Sequence, residues 1–414
     1  LSRPYANELA QRLIRYAKLE TTSDRHKEET PSTPTQWELG RLLLAEIGAL
    51  GITDAYLDEH CYLIAAIPAS AGREGAPSIG LMAHIDTASD VSGANVKPRL
   101  IEGYDGKAVP LGGPEGLTLE TADNPDLAEH AGDTIIVTDG STLLGADDKA
   151  GVAEIMTAAA YILAHPEIEH GALEIVFTPD EETGKGMNRF PIERLKSKAC
   201  YTFDGGKAGE VEAECFTAYA VKAEFKGKVI HIGSARGKLA NAVSMAASFV
   251  TMLPRSEAPE STDGWYGYYC PLEMQGGLES ASVEVFLRDF TKTGMESRIA
   301  AVEAIAKAVE AQFPLGSVSL SIAKQYVNMR EKLDESPEVL SRLMEAARRA
   351  GAEPFIKPIR GGTDGARLTE MGVPTPNVFT GGYNYHSRYE WASVSEMVMA
   401  VETLLELIQL WAKA

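Results

Sequence analysis

The first fifty residues alternate apolar and polar positions in the manner of amphipathic helices. The pattern predicts one helix over residues 7–18 and a second over 35–50. Apolar residues of the second helix recur near helical spacing at Trp37, Leu39, Leu42, Leu43 and Ile47. Both helices therefore have one face suited to packing on a core.

Short apolar runs then predict strands within 55–67 and over 78–83, 134–138 and 173–178. The run 78–83 has little polar face, which is typical of a strand buried on both sides. A helical pattern over 150–164 separates the last two runs. This order of strand, helix and strand predicts an α/β layer with parallel strands.

From about residue 214 the pattern changes to alternating strands separated by helices. Strands are predicted over 216–225, 282–289 and 317–326, with helices over 239–253 and 294–311. We interpret residues 214–326 as a compact α+β insert, whose size is ordinary for a domain.

The α/β pattern resumes after the insert, with a helix over 337–350, a strand over 354–359 and a final helix over 393–410. The first domain is therefore predicted to be discontinuous, formed by 1–213 and 327–414. The total length of 414 residues agrees, because one hydrophobic core seldom grows that large.

Charge and cysteine content narrow the function classes. The formal net charge of −20 argues against nucleic acid and against an anionic membrane surface as partners. Four cysteines lie far apart, without a Cys-x-x-Cys pair, which favours a reducing compartment. Residues 1–5 lead directly into a helical pattern, unlike a signal peptide, so we expect a cytoplasmic protein.

Five short acidic or histidine-containing segments stand where apolar runs end. They are His84-Ile85-Asp86, Ala146-Asp147-Asp148-Lys149, Pro179-Asp180-Glu181-Glu182, Phe203-Asp204-Gly205-Gly206 and Asn384-Tyr385-His386. Imidazoles and carboxylates of this kind suit a pair of divalent metals of the zinc type. A metal-dependent hydrolase is therefore the first hypothesis.

Each segment also has an ordinary explanation when it is considered alone. His84 and His386 could be packed histidines, and Asp147 and Asp148 could cap the following helix. Asp204, before two glycines, could be a turn residue. Only the order of the segments and their placement at strand ends favour the metal interpretation.

Four longer stretches resemble the family of cocatalytic dizinc exopeptidases, and the similarity extends over essentially the whole chain. These stretches are Leu143–Gly151, Phe177–Glu182, Ile359–Ala366 and Phe379–His386. The resemblance implies a three-layer, zinc-exopeptidase-like α/β catalytic domain with a mixed sheet. It also implies that the insert is a ferredoxin-like lid and dimerisation domain, and hence a homodimer.

The resemblance further implies two Zn²⁺ per subunit and a role for each segment. His84, Asp147 and Asp204 would hold one zinc, and Asp147, Glu182 and His386 the other. Asp147 would bridge the two ions, although the sequence leaves Asp148 as an alternative. Asp86 would orient His84, and Glu181 would act as the general base.

Substrate contacts are expected from the insert and from one residue after it. His231 resembles the lid histidine that stabilises the oxyanion, with Asn241 matched nearby, although Ile232 replaces the proline usual after this histidine. Arg288 resembles the arginine that binds the terminal carboxylate, and Arg360 is a further candidate. The ordinary alternatives are a solvated histidine and an arginine paired with Asp289.

The leading hypothesis is an aminopeptidase that releases the N-terminal residue from tripeptides, with short peptides as its partners. An amidohydrolase, a deacylase or a dipeptidase of the same fold is the alternative within hydrolases. A catalytically silent binding protein is the alternative from another class, although every expected ligand and Glu181 are present.

Overall fold

The computed structural model describes residues 3–413, so Leu1 and Ser2 of the N-terminal stretch lie outside the described residues, as does Ala414. The helices are α1 (Ala6–Ala17), α2 (Gln36–Ala49), α3 (Pro125–Glu129), α4 (Ala146–Ala164), α5 (Ala242–Met252), α6 (Lys292–Gln312), α7 (Arg330–Asp334), α8 (Pro337–Arg349), α9 (Asp364–Glu370) and α10 (Val394–Ala412).

The strands follow the same order along the chain. They are β1 (Asp54–Leu57), β2 (Leu63–Ile67), β3 (Ile79–His84), β4 (Arg99–Ile101), β5 (Val109–Pro110), β6 (Thr118–Leu119), β7 (Ile135–Val137), β8 (Leu173–Thr178), β9 (Ala199–Gly205), β10 (Glu210–Glu212), β11 (Thr217–Lys226), β12 (Tyr268–Gly276), β13 (Ser280–Asp289), β14 (Ser317–Tyr326), β15 (Phe355–Ile356), β16 (Asn377–Phe379), β17 (Gly382–Tyr383) and β18 (Trp391–Ser393).

These elements divide into two compact units. The first unit comprises the described residues up to Ala213, together with Glu331–Lys357 and the described residues from Thr363 onward. The second comprises Glu214–Arg330 and Pro358–Gly362. The first unit is thus assembled from three separate stretches of chain.

An eight-stranded mixed sheet forms the centre of the first unit, in the order β1-β2-β8-β3-β9-β16-β10-β15. Strand β3 pairs in parallel with β8 on one side and with β9 on the other. Strand β16 continues the parallel set beside β9, whereas β2 runs antiparallel to β8 and β10 runs antiparallel to β16. The predicted α/β fold with a mixed sheet is therefore confirmed.

Both faces of the central strands are buried, which explains their nearly continuous apolar sequences. In β8, Ile175 and Phe177 belong to the large core that the helices α1, α2, α4, α8 and α10 cover. Val176, between them, points to the opposite face and packs with Phe190 and Leu368. The sheet therefore has helices on one face, and α9 with the chain around 187–195 on the other.

One sequence prediction is wrong in its pairing. The alternation of strand, helix and strand suggested that β7 lies in the parallel layer next to β8. The structure does not place it there. It lies in a separate antiparallel sheet of order β17-β18-β7-β4. The helix α4 instead belongs to the connection from β3 to its parallel neighbour β8, which is much longer and contains β4 and β7 of this second sheet.

The second unit has an antiparallel four-stranded sheet of order β12-β13-β11-β14, with α5 and α6 packed on it. The order of elements, β-α-β-β-α-β, is that of a ferredoxin-like unit. Strand β12 was absent from the predicted elements, because Pro271 and several polar residues interrupt its apolar pattern.

The boundary between the units also differs from the prediction. Residues 327–330 and 358–362, assigned to the catalytic domain from the sequence, pack with the second unit. Asn328 donates hydrogen bonds to Glu214 and to the Phe290 carbonyl, and Ile359 bridges to Cys215 as a short parallel pair. These contacts hold both short stretches to the second unit.

No helix within residues 3–413 is both long and apolar enough to cross a membrane.

Candidate metal centre

Three neighbouring parallel strands bring the first ligand candidates together. His84 is the last residue of β3, Asp204 lies near the end of β9, and Glu182 follows the end of β8 by four residues. Because β3 lies between β8 and β9, their carboxyl ends share one edge of the sheet. Ligand sites in open α/β sheets are usually formed at this edge.

The structure brings five of the predicted residues into two groups with metal-binding spacing. His84, Asp147 and Asp204 form one group, and Asp147, Glu182 and His386 form the other. In each group one ligand atom from every residue lies within 4.8 Å of the others. Asp147 is common to both groups, as the family resemblance implies for a bridging residue.

The two oxygens of Asp147 face different histidines. Oδ1 lies 2.9 Å from Nε2 of His84, and Oδ2 lies 3.2 Å from Nε2 of His386. The same Nε2 atoms also approach Asp204 at 3.5 Å and Glu182 at 3.0 Å. Each imidazole therefore directs one nitrogen at the carboxylates of its own group.

Asp148 makes different contacts, although it adjoins Asp147 in the chain. Its Oδ2 accepts a hydrogen bond from the backbone N–H of His84, and its Oδ1 accepts one from Gly151. The side chain is buried. One oxygen of Asp148 thus joins α4 to β3 and the other is used within α4, which favours Asp147 over Asp148 as the shared ligand.

Asp86 contacts both His84 and the turn that follows β8. Its Oδ1 lies 3.3 Å from Nδ1 of His84, and that nitrogen also lies 3.1 Å from the Asp86 carbonyl oxygen. Oδ1 accepts a hydrogen bond from the Glu181 N–H, and Oδ2 accepts one from the Glu182 N–H. With Nδ1 occupied in this way, His84 has Nε2 available for a ligand.

Clustering of the carboxylates shifts their pKa values upward. Burial raises the pKa of Glu182 to about 7 and that of Asp204 to about 6, and the nearby Asp147 carboxylate adds to both shifts. Hydrogen bonds to Asp147 and Glu182 raise the pKa of His386 to about 11. So many carboxylates in one place need positive charge beside them in order to ionise together.

Glu181 lies in a short 3₁₀ turn over Glu181–Thr183. Burial raises the pKa of its carboxyl group well above the ordinary value, and Asp204, Asp364 and Glu182 add to this shift. Within residues 3–413, no hydrogen bond engages the Glu181 carboxylate, in contrast to Asp86 and Asp148. The side chain is only partly exposed and free to exchange a proton with a bound molecule.

Three buried acids that support the site were not singled out from the sequence. Asp180 accepts hydrogen bonds from the backbone and hydroxyl of Ser32 and from Gln36, which fixes the turn before Glu181. Asp364 accepts a hydrogen bond from Thr178 at the end of β8. Glu390 accepts hydrogen bonds from backbone amides around Asp147. The only signal in the sequence for these three acids is their position within or close to the stretches that resemble the exopeptidase family.

The four predicted substrate contacts belong to the second unit. His231 is exposed and precedes a 3₁₀ turn over Ile232–Ser234, at the position where Ile232 replaces the expected proline. Asn241 caps α5, because its Oδ1 accepts hydrogen bonds from Val243 and Ser244. Their substrate roles stay predictions.

The two arginines of the second unit have well-defined surroundings. Arg288 is buried, lies over the rings of Phe286 and Tyr326, and donates to two backbone carbonyls. It does not pair with Asp289, which binds Arg298 instead. Both terminal nitrogens of Arg360 donate to the loop over 262–266, so a carboxylate contact by Arg360 stays a prediction.

Comparison with known proteins places the chain in a family. Residues 137–410 match the family described as peptidase family M20/M25/M40. A peptidase T of Geobacillus sp. (strain WCH70) is 44% identical over 405 residues, covering 98% of both chains. A peptidase T of Geobacillus kaustophilus is 45% identical over 404 residues with the same coverage.

Solved structures share the fold at lower identity. An aminopeptidase PepT from Bacillus cereus aligns with a TM-score of 0.77 at 22% identity, and a tripeptidase from Staphylococcus aureus with 0.77 at 20%. Each alignment covers 99% of both chains. The chain therefore belongs to peptidase family M20/M25/M40, and it is an enzyme, a metallopeptidase that acts on peptides.

Proposed function

We propose that this enzyme is a dinuclear zinc aminopeptidase that releases the N-terminal residue from tripeptides. The observation that carries the proposal is the division of Asp147 between two ligand groups, one oxygen toward His84 and the other toward His386. A single carboxylate arranged in this way is suited to bridge two cations. The peptidase T relatives, similar over 98% of both chains, support the tripeptide substrate.

The residues present fit a pair of divalent metals. Each group offers one imidazole nitrogen and two carboxylates, a donor set that zinc accepts readily. Oε1 of Glu182 is buried and has no hydrogen-bond partner within the described chain, although its other oxygen contacts His386. Such an atom lacks the partner that a buried oxygen normally has. A cation beside Glu182 would supply one.

The ligand assignment follows from these groups. His84, Asp147 and Asp204 would hold one ion, and Asp147, Glu182 and His386 the other. Two zinc ions supply Lewis acidity, which polarises a peptide carbonyl and makes a water molecule more acidic. A protein from Bacillus subtilis with the same fold, at 15% identity and a TM-score of 0.68, is described as a dinuclear metal-binding peptidase of the M20 family.

Glu181 is the proposed general base. Its carboxylate would take a proton from the attacking water and pass it to the amine that leaves when the peptide bond breaks. Asp86 would hold Glu181 in place through the backbone, and would keep His84 in one tautomer. Asp148 would keep α4 and β3 together beneath the ligands.

A cleft beside the His386 segment gives room for part of a peptide. It has a volume of about 670 Å³ and lies wholly within the first unit. Asn384, Tyr385, Ser387 and Tyr389 line one side, and residues 116–124 provide the other. The mixture of aromatic rings and polar groups is suited to a peptide side chain and its backbone.

Substrate assays on the purified, zinc-loaded enzyme test the proposal. A set of matched compounds should contain a tripeptide, the same tripeptide with an acetylated amine, a dipeptide and an N-acyl amino acid. We expect cleavage of the first peptide bond of the free tripeptide, with much slower turnover of the acetylated form. Preference for the N-acyl amino acid would instead indicate a deacylase, and peptide binding without turnover would indicate a silent binding protein.

A further inference from the structure

Glu390 binds the chain segment that carries Asp147. Its side chain is buried, only 2% exposed, and lies directly before β18. Oε2 accepts hydrogen bonds from the backbone N–H groups of Leu144 at 2.6 Å and Gly145 at 2.8 Å. Oε1 accepts one from the N–H of Asp147 at 3.1 Å. One carboxylate therefore receives three backbone donors from a single turn of chain.

These donors lie in the turn before the regular part of α4, because Asp147 and Asp148 have non-helical backbone angles. Backbone N–H groups in such a turn have no helical partner and need an acceptor elsewhere. The residue before the helix, Gly145, has a left-handed conformation with φ +76° and no side chain to cap them. A carboxylate side chain is well placed there, because each of its oxygens can accept hydrogen bonds from backbone N–H groups. Glu390 thus holds the turn that leads into α4, although it is far away in the sequence.

The same short segment also supplies a proposed metal ligand. His386 precedes Glu390 by four residues, and its Nε2 faces Oδ2 of Asp147. Asp147 is therefore contacted through its backbone by Glu390 and through its side chain by His386. Among residues 3–413, Asp147 alone belongs to both ligand groups, so a small rotation of Asp147 would disturb both.

We propose that Glu390 is a positioning residue for the metal centre, which fixes Asp147 so that its two oxygens serve both ligand groups at once. The inference rests on the proposed function, because it assumes that the two groups bind metal. It assigns Glu390 no contact with metal or substrate. Its effect passes through the backbone of Leu144–Asp147.

The substitution Glu390→Gln isolates this effect with almost no change in size. Glutamine replaces one carboxylate oxygen by an NH₂ group, which is a donor and cannot accept a backbone N–H. In one orientation the bond to Asp147 is lost, and in the other the bonds to Leu144 and Gly145 are lost. Loss of such a supporting hydrogen bond typically weakens metal binding about 10–100-fold.

Glu174→Gln is a matched control. Glu174 is also buried, 4% exposed, and its carboxylate accepts hydrogen bonds from the N–H groups of Lys196 and Ser197 and from the Ser197 hydroxyl. It lies near the start of β8, at the opposite end of the strand from Glu181 and Glu182. The control therefore removes an equivalent buried acceptor of backbone hydrogen bonds without touching the proposed metal ligands.

The experiment measures zinc affinity directly. Apoproteins of the wild type and both variants are titrated with Zn²⁺ in competition with a chromophoric chelator. We expect two zinc ions per wild-type chain, both bound about 10–100-fold more weakly by Glu390→Gln, and unchanged affinity in Glu174→Gln. Wild-type affinity in Glu390→Gln would overturn the inference alone, whereas a wild type that binds no zinc would overturn the proposed function with it.

Thermal unfolding of the three apoproteins separates positioning from general stability. Equal losses of Tm in the two variants, together with weaker zinc binding only in Glu390→Gln, support the inference. Loss of Tm in Glu390→Gln without any change in zinc affinity would overturn it. If Glu390→Gln does not fold, Glu390→Asp keeps the charge but shortens the side chain by one methylene, and unchanged zinc affinity there would also overturn the inference.

Discussion

Asp86 accepts a hydrogen bond from the backbone N–H of Glu181, with 3.0 Å between Oδ1 and the nitrogen. The other oxygen of Asp86 accepts from Glu182 at 3.2 Å, and Oδ1 also lies 3.3 Å from Nδ1 of His84. One buried carboxylate therefore positions a proposed ligand of each metal and the proposed base.

Replacement of Asp86 should weaken the whole site. In Asp86→Asn an amide NH₂ group must replace either Oδ1, which faces the Glu181 N–H and the His84 ring, or Oδ2, which accepts from the Glu182 N–H, so at least one supporting bond is lost. We expect kcat/KM to fall about 10–100-fold or more. Steady-state kinetics on a tripeptide measure the change.

Asp58→Asn provides the comparison for Asp86→Asn. Asp58 also accepts two backbone hydrogen bonds, from His60 and Tyr62, but in the turn between β1 and β2. Its substitution should leave kcat/KM near the wild-type value. Equal activity losses in the two variants would argue that Asp86 has no special role at the site.

Glu181→Gln should abolish most turnover while zinc stays bound. The amide cannot accept a proton, so kcat should fall about 10²–10⁴-fold. Zinc content, measured by elemental analysis after gel filtration, should remain at the wild-type level, because Glu181 belongs to neither ligand group. Loss of zinc, or retained turnover, would contradict the assignment of Glu181 as base.

The number of zinc ions bound per chain should distinguish the two ligand groups. Asp204→Ala removes a member of one group only, and His386→Ala removes a member of the other. Each variant should retain one tightly bound zinc ion, whereas Asp147→Ala should weaken both ions. Isothermal titration of the three apoproteins tests this pattern, and equal effects of all three substitutions would reject the bridging role of Asp147.

Glu154 should make the stability of the protein depend on pH. This residue of α4 is fully buried, and neither carboxyl oxygen has a hydrogen-bond partner within the described chain. Burial raises its pKa well above the ordinary value of 4.5. The folded chain therefore keeps this proton at pH values at which the unfolded chain loses it.

Proton linkage gives the direction in which the free energy of unfolding changes with pH. The unfolded state binds fewer protons than the folded state above about pH 4.5, so this group lowers stability as pH rises, by up to about 1.4 kcal/mol per pH unit. We expect Glu154→Gln to flatten the pH dependence of the free energy of unfolding of the apoprotein between pH 5 and pH 8. Glu38→Gln, at an exposed position of α2, should leave that dependence unchanged, and an identical slope in wild type and Glu154→Gln would contradict the prediction.

Much of the fold could be predicted from the sequence because the central strands have strong apolar patterns. The run 173–178 became β8 with the predicted bounds, and 78–83 became β3 displaced by one residue. Short polar segments that follow such runs mark strand ends, and parallel strands bring those ends to one edge. The structure accordingly brings together His84, Asp204 and Glu182.

The partners of short strands could not be predicted. Strands β7 and β16 have only three residues each, and nothing in three apolar residues determines which sheet they join. Strand β9 was not predicted, because its sequence leads directly into the Asp204 segment, whose aspartate and glycines are typical of a turn. Tertiary packing decides these pairings.

The supporting acids were equally inaccessible from the sequence. Glu390 and Asp180 act by accepting hydrogen bonds from the backbone of distant segments. Because every residue except proline has a backbone N–H, the sequence does not indicate which of these groups such a side chain will contact. Either residue, considered alone, is typical of a solvated surface position. Their burial became visible only once the segments were placed in the fold.

The discontinuity of the first unit determines when the second candidate ligand group can be completed during synthesis. His84, Asp147, Glu182 and Asp204 are all translated before the second unit begins at Glu214, whereas His386 follows more than a hundred residues later. Strand β16, which completes the parallel set beside β9, also comes late in the chain. A nascent chain therefore carries every carboxylate of the two candidate groups long before the second imidazole, so the group of Asp147, Glu182 and His386 can be complete only after the second unit has been synthesised.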